Sequence, residues 1–400
     1  MRIATIQGPL EIGLDYTRYL PAARANQQQN PQLDTRHPHN IGDWFVTSSS
    51  DAILDYEEAV VISRDAPQRD WDALNEECDI LILKGGNYVQ HNWLATTFGI
   101  DLFKKLKIPV FMFGIGLQAG RSEKVSFAPE EAEIFRLLSD QSAAISVRGG
   151  STAEALSSIG ITNAVVTGCP TTYWSLKPEL SVRKPGREHG SFSFRQGLYS
   201  SDPEIYRAQF RAIEAARDQF SRLSVILQGE ELLLQRYHMA TRWAAEYAVT
   251  RSRIDGTGLT RLRRDPIEVD ALRDELHRTY DAFSRPTLVR WLMDNTFFSY
   301  DVGDYLEHYQ AADMVLGCRL HSNLVAIAHG TPTYFLTYDQ RTQEMADTFE
   351  LPSCPVTAFD ASIDLHDQNW SGFEKRYAHY FGEMRRVLDA SGVAHRLARE

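Results

Sequence analysis

Short apolar runs recur along the first half of the chain, and each stops at glycine or at a polar residue. The stretches 1–7, 60–63, 79–84, 110–113, 144–147 and 164–167 have the length and β-branched content of buried strands. Between them the apolar positions fall at helical spacing, which predicts helices over 44–54, 98–106, 129–138 and 151–159. Apolar strands alternating with helices argue a parallel, doubly wound sheet. The stops are Gly85-Gly86-Asn87, Gly114-Ile115-Gly116, Arg148-Gly149-Gly150 and Gly168-Cys169-Pro170. Glycine at a strand end lets a ligand or a second backbone approach closely.

The pattern then breaks. Residues 176–190 have linker composition, with Lys177-Pro178, Lys184-Pro185 and Gly186. A second α/β unit follows, with a strand at 191–194, a helix over 202–220 and a strand at 223–227. From 229 to 295 the spacing is that of long amphipathic helices, over 232–249 and 270–283, read as a helical insertion. A helix over 302–311, a last short strand at 354–356 and an amphipathic helix over 370–390 complete the chain. The expected architecture is therefore α/β, with two Rossmann-like domains facing a cleft. Residues 1–176 form the first, 177–365 form the second with its insertion at 229–295, and 366–400 are a C-terminal helix returning to the first.

The densest polar turn lies between the strand 314–317 and a short apolar helix closed by Gly330 and Pro332. It places Arg319, His321, Ser322 and Asn323 at the carboxyl end of a strand and the start of a helix. Open α/β sheets bind ligands there, and free backbone N–H groups attract anions. A guanidinium and an imidazole two residues apart suit an anionic substrate that also needs a proton. The alternative is structural, with Arg319 in a salt bridge and His321 capping the helix.

Composition narrows the chemistry. A formal net charge of -11 over 400 residues argues against nucleic acid as a partner, because polyanion affinity needs clustered Lys and Arg. Cys78, Cys169, Cys318 and Cys354 are scattered and show no zinc spacing, so reduced thiols and a cytoplasmic protein without a metal are expected. No stretch reaches 18 apolar residues, which still leaves room for contact with the inner face of a membrane. Gly114-Ile115-Gly116 lacks the third glycine of a dinucleotide fingerprint, and there is no GxxxxGK[ST] loop. The polar stretch 8–40 is long enough to be a functional loop. It leads into Asn40-Ile41-Gly42-Asp43, a helix start with Asn40 or Asp43 as cap.

Taken in order, Asn40-Ile41-Gly42-Asp43, Gly85-Gly86, Gly114-Ile115-Gly116, Ser146-Val147-Arg148, Thr167-Gly168-Cys169-Pro170 and Gly317-Cys318-Arg319-Leu320-His321 through Gly330-Thr331-Pro332 resemble the polysaccharide pyruvyl transferase family. The similarity spans roughly residues 40 to 352. It implies a fold like that of GT-B glycosyltransferases and transfer of a pyruvyl group from phosphoenolpyruvate to two sugar hydroxyls, giving a cyclic ketal. The family's donor-binding and catalytic positions map onto Arg148, Arg319, Leu320 and His321. Three departures are Gly149-Gly150, where the family commonly has an acidic residue, Asn87 in place of a third glycine, and the stretches 8–40 and 229–295, which are longer than a minimal member needs.

On that resemblance, Arg148 and Arg319 bind the carboxylate and phosphate of the donor, for which a planar guanidinium is suited. His321 is the general acid that protonates the methylene carbon, its ordinary pKa of about 6.5 being close to operating pH. Asn40, Gly42, Asp43, Gly85, Gly86, Asn87, Gly116, Ser322 and Asn323 are the candidate substrate-binding positions, with Asp43 either a second base or a helix cap. Lys84 and Arg341 are weaker donor-binding candidates beside the reading of each as a solvated surface charge. The implied partners are phosphoenolpyruvate as donor substrate, with no cofactor, and a saccharide acceptor that is lipid-linked, a nucleotide sugar or a finished polymer. A homo-oligomer is compatible with all of this. Two other classes compete: a glycosyltransferase using a nucleotide sugar, with Glu344 as its ribose-binding acid, and a catalytically silent sugar-binding protein.

Overall fold

The structure is a computed structural model that describes residues 1–6, 41–62, 71–120, 123–195, 203–228, 232–242, 248–254, 260–266, 269–299 and 301–397. The loop 8–40 and Asn40 lie outside the described residues. Its first half is a parallel sheet of β1 (Arg2–Ile6), β2 (Glu58–Ile62), β3 (Ile80–Val89), β4 (Val110–Leu117), β5 (Ile145–Val147) and β6 (Ala164–Val166), in the order β2-β1-β3-β4-β5-β6. Both faces are covered. Ile80, Ile82, Phe111 and Phe113 point into one core, whereas Leu81, Leu83 and Met112 point into another. Burial on both sides is why these strands read as continuous apolar runs.

The second half carries β7 (His189–Ser193), β8 (Arg222–Ile226), β9 (Ala248–Ile254), β10 (Thr260–Pro266), β11 (Thr296–Phe297), β12 (Met314–Gly317), β13 (Thr333–Thr337) and β14 (Ser353–Pro355). Six of these form a parallel sheet in the order β11-β8-β7-β12-β13-β14. The two halves are thus both doubly wound α/β units. The core on the first sheet's Phe111 face continues into the second sheet, where Phe45 of the helix Ile41–Ile53 meets Tyr305 edge-on at 5.4 Å. The helix Ser371–Ala390 returns to the first half, with Tyr377 5.4 Å from Tyr173 and Ser146 Oγ 3.8 Å from Met384 Sδ.

Three elements differ from the sequence reading. The insertion is helical only in part: β9 and β10 pair as an antiparallel ribbon inside the stretch read as all helix. β3 and β4 run through their glycines rather than stopping at them, with irregular register between Gly86 and Val89. A short helix, Trp93–Phe98, precedes the expected one, which is itself Ile100–Lys105. Among the described residues no helix is long and apolar enough to cross a membrane.

Strand order also fixes where a ligand belongs. In an open α/β sheet it binds at the carboxyl edge where the order of strands reverses. The first sheet reverses between β1 and β3, the second between β7 and β12. The carboxyl ends of β3 and β12 carry Lys84-Gly85-Gly86-Asn87 and Gly317-Cys318-Arg319.

Candidate active site

A cavity of about 130 Å³ lies between these edges. Its wall is mostly from the first half: Asp43, Val46 and Thr47 from the helix Ile41–Ile53, the run Lys84 to Tyr88 from β3, then Gln90, Trp93 and Arg148. His321 is the contribution of the second half.

Arg148 follows β5 and is almost wholly buried, at 1% exposure. Its Nε donates to Gly114 O (3.1 Å) and its Nη1 to Asn87 Oδ1 (2.7 Å). Nη2 is buried and finds no partner among the described residues. Gly116 does not line the cavity; a Cβ there would sit 2.6 Å from Arg148 Cδ, so this glycine gives the arginine its passage. Gly85 and Gly86 do line it, but packing already requires them to be glycine. A Cβ at Gly85 would meet Val46 Cγ1 at 2.6 Å and one at Gly86 the Tyr88 ring at 2.8 Å.

His321 stands in the first turn of the helix Leu320–Ala328, 9% exposed, with its Nε2 buried and without a partner among the described residues. Burial drives its pKa well below the ordinary 6.5, and the guanidinium groups of Arg148, Arg341 and Arg319 push it further down. The ligand-free site thus favours the neutral ring.

The rest of the Arg319 turn is spent inside the protein. Arg319 caps that helix by position; its Nε donates to Phe194 O (3.1 Å), its backbone N–H to Ser193 Oγ (3.2 Å), and it is not part of the cavity wall. Ser322 Oγ accepts from Gln228 Nε2 (2.6 Å) and Tyr309 OH (2.8 Å). Asn323 Nδ2 donates to Gly317 O (3.0 Å) while its Oδ1 accepts from Ser193 Oγ (3.4 Å). Both side chains are fully buried and away from the cavity, so their geometry is that of turn braces rather than substrate contacts.

Asp43 is not the helix cap. The helix begins at Ile41, whose N–H donates to Gln228 O of the other half (2.9 Å), and Asp43 sits in its first turn facing the cavity. Gly42 is buried in the same turn and off the wall. Lys84 is not a solvated charge: it is 3% exposed and ion-paired with Asp51. Arg341 is held by Tyr338 OH (2.6 Å) and Asp339 (3.2 Å), outside the wall. Glu344, the ribose candidate, is buried and accepts from the Thr152 backbone N (2.6 Å) and Oγ1 (2.9 Å). It fastens the helix Gln340–Phe349 to the start of the helix Gly150–Ser157. A Cβ at Gly149 would lie 2.3 Å from Glu344 Cγ, which accounts for glycine directly after Arg148. Sequence reasoning passed over Val46, Thr47, Tyr88, Gln90 and Trp93; the strand-end run was the available signal for Tyr88 and Gln90.

The family model for polysaccharide pyruvyl transferase matches residues 16–340 of the chain. No curated protein sequence matches it. Among solved structures, UDP-GlcNAc 2-epimerase from Methanocaldococcus jannaschii aligns at 13% identity and a TM-score of 0.46, covering 97% of this chain and 99% of that one. UDP-GlcNAc 2-epimerase from Neisseria meningitidis aligns at 10% identity and a TM-score of 0.39, covering 98% and 94%. At these scores neither likeness bears on the site.

Proposed function

The chain belongs to the polysaccharide pyruvyl transferase family and is a transferase; from that premise we propose that it moves a pyruvyl group from phosphoenolpyruvate to two hydroxyls of a saccharide. The observation that carries this reading is a pair of buried nitrogens, Arg148 Nη2 and His321 Nε2, that find no partner among the described residues and belong to residues that wall one cavity. Buried polar groups are almost always hydrogen-bonded, so two such groups at one place call for a ligand. An anion satisfies both. The cavity, at about 130 Å³, falls below the roughly 300–1,000 Å³ of pockets that enclose drug-sized ligands. That favours a small donor over a nucleotide sugar, as does the commitment of Glu344 to Thr152.

Arg148 takes an oxygen of the donor with the free edge of a guanidinium that Asn87 and Gly114 hold in place. The bound phosphate raises the pKa of His321, which then protonates the methylene carbon and leaves the central carbon electrophilic. One sugar hydroxyl adds there and loses its proton to Asp43. Phosphate departs, the second hydroxyl closes the ring, and its proton leaves with phosphate. Arg319, behind His321, acts through charge.

The test is phosphate release from phosphoenolpyruvate in the presence of a panel of glycosides, for the wild type and His321→Ala. Turnover is expected to drop by about 10² to 10⁴ in a correctly folded variant. Undiminished turnover removes His321 from the mechanism, and failure of the wild type to bind phosphoenolpyruvate removes the donor.

A further inference from the structure

One charged side chain in the wall has no part in the mechanism above. Lys84, in the middle of β3, is buried, and its Nζ is set in a triangle. It is ion-paired with Asp51 Oδ1, lies 3.4 Å from Tyr56 OH and sits 4.9 Å from the centre of the Tyr56 ring. Tyr56 OH itself donates to Asp51 Oδ1 at 2.8 Å, closing the triangle. An ammonium has three donors, and the triangle uses two.

A purely structural role is a weak explanation for this arrangement. Desolvating both partners costs several kcal/mol, and apolar replacements for a buried pair are often neutral or stabilising. What the triangle does achieve is a cation of fixed position in the same wall as Arg148 and His321. The Lys84–Asp51 pair is neutral as a whole, so what it can give a ligand is a positioned N–H rather than net charge. A carboxylate and a phosphate monoester together present five acceptor oxygens, more than Arg148 Nη2 and His321 Nε2 can satisfy.

We propose that Lys84 contacts the donor directly, its third N–H aimed by Asp51 and Tyr56 at one anionic group of phosphoenolpyruvate. The inference rests on phosphoenolpyruvate being the donor. Burial alone lowers the Lys84 pKa, while Asp51 opposes that shift and a bound anion adds to the opposition.

The experiment is calorimetric titration of phosphoenolpyruvate, inorganic phosphate and pyruvate into the wild type and two variants, each checked for folding by circular dichroism. Lys84→Met combined with Asp51→Asn removes the pair together, so no buried charge is orphaned. Lys84→Gln removes the positive charge and shortens the side chain while keeping an N–H donor, which covers the case in which the double variant fails to fold. The expected result is a Kd for phosphoenolpyruvate at least about tenfold higher in the folded variants. A parallel loss for phosphate or for pyruvate identifies the end that Lys84 holds. Folded variants that bind all three probes as the wild type does overturn the role of Lys84 and leave the donor standing. A wild type that does not bind phosphoenolpyruvate overturns the donor itself.

Discussion

The two strand ends that meet at the cavity hold similar residues and use them in opposite ways. After β5, Arg148 has two of its nitrogens anchored by Gly114 and Asn87 and one left open. After β12, Arg319, Ser322 and Asn323 turn their hydrogen bonds to Phe194, Gln228, Tyr309 and Gly317, and only His321 faces the cavity. A polar turn at a topological switch point is thus not by itself a binding surface. What distinguishes a site from a brace is a donor that folding leaves unsatisfied.

Exchanging each arginine for alanine puts the largest strain on that contrast. Arg148→Ala deletes a buried, anchored charge that meets the donor in the proposed reaction, and losses of about 2–5 kcal/mol are usual for such truncations. Phosphoenolpyruvate affinity is expected to fall by about two orders of magnitude or more by calorimetry. Arg319→Ala removes a brace and a distant charge, and a donor affinity closer to wild type is expected, with the cost appearing instead in thermal stability. Equal loss of donor affinity in the two variants abolishes the distinction between the two ends.

The next test concerns the residue directly after Arg148. A methyl group at Gly149 would press on Glu344 Cγ at 2.3 Å and Thr348 Oγ1 at 2.6 Å, whereas one at Gly150 meets nothing within 4 Å. Overpacking of this kind costs about 1–3 kcal/mol. Gly150→Ala is expected to be neutral or stabilising by up to about 1 kcal/mol, since it only restricts the unfolded chain. Thermal or urea unfolding of the two variants measures the difference directly. Similar stability for both means that Glu344 and Thr348 move aside freely, and the link between the halves is looser than the bonds to Thr152 indicate.

These cases also show what the sequence could and could not convey. Apolar runs alternating with helices were enough to read two parallel sheets, the polar turn after the strand 314–317 drew out His321, and Arg148 came from the resemblance to the family. Why Gly85, Gly86 and Gly116 are glycine was not legible, because what crowds them is Val46, the Tyr88 ring and the side chain of Arg148, all set by tertiary packing. Lys84 looked like a surface charge for the same reason: Asp51 and Tyr56 lie 33 and 28 residues away along the chain. The ribbon was legible. Thr250-Arg251-Ser252-Arg253-Ile254 and Thr260-Arg261-Leu262-Arg263 alternate with a period of two, a strand signal outweighed by the helical spacing on either side.

The subtlest expected effect separates a histidine that takes its proton with the donor from one that never does. In the ligand-free site burial, with Arg148, Arg341 and Arg319 nearby, holds His321 well below 6.5 and hence neutral. Asp43 and Lys84 share its cavity in every state compared. A phosphate dianion beside the ring raises that pKa, so over the interval between the two values the complex holds one proton more than the free protein. Binding must then tighten as pH falls through the interval, by up to about tenfold per unit. The donor's own phosphate, with a second pKa near 6, pulls the other way if the dianion is the bound form. The quantity to follow is therefore the ratio of Kd in His321→Ala to Kd in the wild type. It is expected to grow from about pH 8 to about pH 6, and titrations in buffers of different ionisation enthalpy should record proton uptake by the wild type beyond that of the variant. A ratio that stays flat over this range means that His321 does not acquire its proton on donor binding; it then acts, if at all, as a neutral hydrogen-bond donor, and the acid must be sought elsewhere on the wall.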